Sequence, residues 1–109
     1  MYNKYIINQL KEGKRMYDKA LSYIISEKKN VFNKLEDNLL SYENGVIGKD
    51  DYEFEVKFIT RSLQVYRDLI FDRFGKDFNN DQWFDVFNLF ESYFLQIAIV
   101  YVLNKEKMA

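Results

Sequence analysis

The sequence predicts an all-α chain, an antiparallel bundle of three long helices, and three observations carry that prediction. The 109 residues contain no Pro and only four Gly, so little interrupts a helix. Apolar residues recur at alternating steps of three and four along most of the chain, which is the signature of a buried helical stripe. Turn chemistry is concentrated at two places, 44–49 and 76–81, which divide the chain into three segments. The length suits one domain with a single core, residues 1–109.

In the first segment, residues 2–44, the stripe consists of Ile6, Leu10, Tyr17, Ala20, Ile24, Val31, Leu35, Leu39 and Tyr42. At roughly 100° per residue these fall within about a third of a turn. The phase survives Lys28, Lys29 and Asn30, where a turn would otherwise be placed, so one continuous helix is expected. A break near Asn30, giving four helices, is the alternative. Gly13 lies on the stripe and marks a place where a neighbouring element could approach closely. A continuous helix of this length would be ~60 Å long and would overhang a domain of this size. Self-association into a homodimer would then cover its exposed stripe.

Asn44-Gly45 is a turn dipeptide, and Gly45 is placed to end the first helix in the left-handed conformation. Asp50 is expected as the N-cap of the second helix, with Glu53 in the capping-box position. That helix should run to about Phe74 on a seam of Val56, Ile59, Leu63, Tyr66 and Ile70, with Gly75 closing it. Asn79 or Asn80, helped by Gln82, should cap the third.

The third helix contains the most apolar run in the chain, Trp83 to Leu103. Its first half is amphipathic, and from Tyr93 to Leu103 only Gln96 is polar, so that half should be buried on all sides and the helix should be the central one. The β-prone stretch Ile97–Val102 has no second strand to pair with, which favours helix. Asp85, Asn88, Glu91 and Gln96 weigh against a membrane span.

Composition narrows function without naming one. Absence of Cys removes disulfides, thiolate chemistry and the usual zinc sites; absence of His removes the commonest general base. The serines have no spacing that suggests activation, and 44–49 lacks the spacing of a phosphate-binding loop. No catalytic residue, cofactor or metal is therefore expected. Asp77, Asn79, Asp81 and Asp85 resemble the start of a calcium loop, but Gln82 stands where Gly is required and Asn88 where Glu is required. The acidic run Asp50, Asp51, Glu53 and Glu55 is read as a helix start.

Net charge is −1, with +3 in residues 1–49 and −4 in residues 50–109. No secretory leader is evident in the first residues, so a cytoplasmic protein is expected. Abundant Asn, Lys, Ile, Tyr and Phe are what an AT-rich genome encodes, as in a low-GC bacterium or its phage. Aromatics make up 18% of the chain, more than a small core readily holds, and the surplus suits a contact surface.

The leading expectation is a small non-catalytic binding protein that modulates or inhibits a partner protein. Arg61, Tyr66, Arg67, Arg73, Trp83 and Phe84 are its candidate contacts, because Arg, Tyr and Trp dominate interface hot spots. The alternative is a nucleic-acid-associated regulator using the basic side of the first helix, Lys4, Lys11, Lys14, Arg15 and Lys29, with Tyr2 and Tyr5 near enough to stack. A peripheral membrane protein is the third.

Overall fold

The computed structural model describes residues 4–107, with the side chains of 5–7, 9, 10 and 105–107 left out of the description. Three helices follow one another: α1, Lys4–Glu43; α2, Lys49–Phe74; and α3, Asn80–Lys107. There is no strand among the described residues. Ring contacts fix the directions. Tyr42 meets Tyr52 at one end of α1–α2 and Tyr23 meets Phe74 at the other, so these helices are antiparallel. Phe71–Trp83 and Tyr52–Tyr101 set α3 antiparallel to α2 in the same way.

The first helix is continuous through Lys28, Lys29 and Asn30. Its 40 residues explain the elongated shape, 68 Å by 19 Å by 16 Å. A Cβ built on Gly13 would lie 3.5 Å from the carbonyl oxygen of Asp77, so this glycine is where the α2–α3 turn comes against α1. The part of α1 before Gly13 therefore projects beyond the turn. Ile6 and Leu10, expected on the stripe there, lie outside the described side chains.

Both turns are built by local hydrogen bonding. Gly45 takes φ 73°, its N–H donates to the Tyr42 carbonyl at 3.1 Å, and the Val46 N–H donates to Ser41 at 2.8 Å. This is the paired closure that a left-handed glycine permits at a helix end. The start of α2 differs from expectation. Gly48 caps it in extended conformation without a side-chain hydrogen bond, and the helix begins at Lys49. Asp50 is already inside the first turn, where with Asp51 it faces the positive end of the helix dipole. Glu53 accepts a hydrogen bond from the Tyr101 hydroxyl at 3.3 Å instead of reaching back to a cap.

At the second turn α2 ends at Phe74 and tightens into a single 3₁₀ turn, Gly75–Asp77. Gly75 stays right-handed there. Asn79 and Gln82 form the reciprocal capping box of α3: the Gln82 N–H donates to Asn79 Oδ1 at 2.8 Å and the Asn79 N–H to Gln82 Oε1 at 3.0 Å.

The core contains Ala20, Ile24, Val31 and Leu35 of α1 with Tyr52, Val56, Ile59, Leu63, Ile70 and Phe74 of α2. From α3 come Val86, Phe90, Tyr93 and Ile97, again at steps of four, three and four. The third helix touches both others but is not enclosed by them. Leu95, Ile99, Val102 and Leu103 are about half or more exposed, so the expectation that Tyr93–Leu103 is buried on all sides fails. Two neighbouring helices cover only one side of a third.

Candidate docking surface

Two apolar faces look outward. On α3 the residues are Phe84, Leu95, Ile99 and Val102, which share one side of the helix opposite Val86, Phe90 and Ile97. Within Asn80–Asn104 the helix is long and apolar enough, by length and composition, to cross a membrane: an 18-residue window has a mean hydropathy of 1.6, yet only 22% of that window is buried. A core helix of the same composition would be mostly covered. On α2 the outward residues are Phe54, Phe58, Val65 and Leu69.

An aromatic shelf closes the α2–α3 turn. Trp83 stacks on Phe87 at 5.4 Å, contacts Phe71 at 5.1 Å and meets Phe84 edge-on at 5.6 Å. Phe71 continues inward to Phe78 and Phe90. Trp83 is 40% exposed and Phe84 59%, so the shelf presents ring surface to solvent while its inner members hold it in place. Held rings lose little freedom on binding, which suits them to contact.

The six expected contacts do not form one face. Trp83 and Phe84 belong to the shelf. Arg67 lies between α2 and α3, 3.4 Å from Asp68, 3.7 Å from Glu91 and over the Phe94 ring, so its charge serves the helix pair. Tyr66 is directed to α1, its hydroxyl donating to the Tyr23 carbonyl at 3.0 Å. Arg61 and Arg73 are exposed; Arg61 lines the groove between α2 and α3, and Arg73 lies against the Phe74 ring. The outward stripe of α2 and the outer side of the second half of α3 were not singled out from sequence. A second apolar period on each helix was the signal.

Lys4, Lys11, Lys14, Arg15 and Lys29 are all exposed on α1. Arg15 pairs with Glu12 at 2.6 Å, and Lys29 stands well along the helix from the other four. Tyr2 lies outside the described residues, as does the Tyr5 side chain. The residues resembling a calcium loop are taken up by the α3 start: Asn79 caps, and Asp81 and Asp85 lie within the helix. Among the described residues no group of three acidic side chains is gathered as a metal would require.

Burial raises the hydroxyl pKa of Tyr93 above the ordinary tyrosine value. Burial does the same at Tyr52, where a hydrogen bond with the Asn104 side chain works in the opposite direction. Both hydroxyls therefore stay neutral core groups. No protein-family model, curated protein or solved structure matches the chain.

Proposed function

We propose that this chain is a small non-catalytic helical protein that binds and modulates a partner protein through the outer face of α3 and the adjoining aromatic shelf. The observation that carries the reading is the exposure of Leu95, Ile99, Val102 and Leu103, between 48% and 61%, on a helix whose other side is fully packed. Contiguous exposed apolar surface of this kind is a common mark of an interaction site. The lack of His and Cys supports a role without catalysis, and the reading places the protein in the cytoplasm.

The test is affinity capture from the native host with the wild type and with L95E/I99E. Both positions face outward, so circular dichroism should show the fold retained. Proteins captured by the wild type and lost with the variant support the reading. Equal capture by both sinks it.

A second reading, a peripheral membrane protein, is favoured by the apolar length of α3 and its low burial. Flotation with phosphatidylcholine vesicles, abolished in L95E/I99E, would select this reading over the first.

A further inference from the structure

The outward stripe of α2 has an internal symmetry that the face of α3 lacks. Phe54, Phe58, Val65 and Leu69 are spaced by four, seven and four residues, a palindrome centred between Arg61 and Ser62. At roughly 100° per residue all four fall within about 60°, on the side of α2 away from Ile59, Leu63 and Ile70. Their exposures are 68%, 56%, 53% and 59%. A lone amphipathic helix has no use for this second stripe. It gives α2 two buried sides in an assembly and one in the isolated chain.

We propose that α2 docks against α2 of a second copy of this chain, antiparallel, about a twofold axis passing between Arg61 and Ser62. The pairing sets Phe54 against Leu69 of the second copy and Phe58 against its Val65, each contact occurring twice. Ser62, a small side chain, lies beside the axis where the two helices come nearest.

The self-complementary spacing selects this occupant, and the ends of the helix favour this direction. The start of α2 is acidic, with Asp50 and Asp51, and its last turn carries Arg73. Among the described residues none of these three makes an ion pair within the chain. Antiparallel pairing about this axis sets Asp50 of each copy level with Arg73 of the other and opposes the helix dipoles, and it sets Asp51 level with the exposed Asp72, a repulsion that the dimer carries at each end. A parallel arrangement would set Asp50, Asp51 and Arg73 each against its own mate and align the dipoles. Arg61, close to the axis, also lines the α2–α3 groove with Phe94 and Ala98, where its charge can lie away from its symmetry mate.

Sedimentation equilibrium of the full chain tests the pairing. The wild type should dimerise, and L69E should be a folded monomer by circular dichroism. R73D should raise the dissociation constant about tenfold through two lost exposed ion pairs, and D50R/R73D, which swaps the charges, should restore it. A second measurement uses the absence of cysteine. S62C should cross-link with a short bis-maleimide, whereas F54C, held ~22 Å from its symmetry mate, should not. A wild-type monomer at all concentrations overturns the proposal. So does a dimer indifferent to L69E and R73D, or equal cross-linking of S62C and F54C. L95E/I99E leaves this dimer intact, so failure here and failure of the α3 docking surface are separable.

Discussion

Asn38 of α1 donates from Nδ2 to the backbone carbonyl of Tyr52 in α2 at 3.2 Å, and both residues are buried. The carbonyl belongs to the first turns of α2, and the Tyr52 hydroxyl is hydrogen-bonded to the Asn104 side chain near the end of α3. One tyrosine therefore joins all three helices at the same end of the bundle, by polar contacts with directional demands that apolar packing lacks. N38L should lower stability by about 0.5–1.5 kcal/mol in urea unfolding, the net worth of one buried hydrogen bond, because the Tyr52 carbonyl keeps its donor within α2. A change below a few tenths of a kcal/mol would mean that the bond contributes nothing.

Alkaline pH should unfold the protein in a way traceable to Tyr52 and Tyr93. Burial raises both hydroxyls above their ordinary value near 10, so the folded state holds these protons more tightly than the unfolded chain. The stabilisation is complete below the unfolded pKa and is lost as pH rises through the folded one. Thermal midpoints should fall above about pH 10, and Y93F should reduce the slope.

Gly13 is open to improvement. The contact of an added Cβ with the Asp77 carbonyl, at 3.5 Å, is ordinary van der Waals separation. G13A should therefore stabilise by up to about 1 kcal/mol through helix propensity. G13L, whose larger side chain meets the α2–α3 turn, should lose that gain. The two midpoints, measured side by side, decide whether the turn rests against α1.

The capping box makes a local prediction. N79A removes the acceptor for the Gln82 N–H and should cost about 1 kcal/mol, visible as a lower urea midpoint with unchanged slope.

The helices were legible in the sequence because burial imposes a period. Ala20, Ile24, Val31 and Leu35 keep one phase through Asn30, and the structure keeps one helix there. Gly45 and the Asn79–Gln82 box were legible because their roles depend on a few neighbouring residues. The start of α2 was not, since Gly48 and Asp50 are both competent near a helix start and tertiary placement decides between them. Composition could not say how deeply Tyr93–Leu103 is buried: Leu95 and Ile97 are equally apolar, but only Ile97 is turned into the core. The candidate contacts scattered for a related reason. Arg67 and Tyr66 are adjacent in sequence yet serve opposite neighbours, Glu91 on α3 and Tyr23 on α1.

The tight closure at Gly45 also bears on how the chain folds. It lets α1 and α2 form a hairpin whose first contacts, near Tyr42 and Tyr52, are closer in sequence than any that bring α3 back onto α1. Until α3 docks, that hairpin shows water apolar surface, Val56 among it, where Phe94 and Ile97 later lie. The half-folded protein is thus a receptor for an apolar helix before it acquires its own.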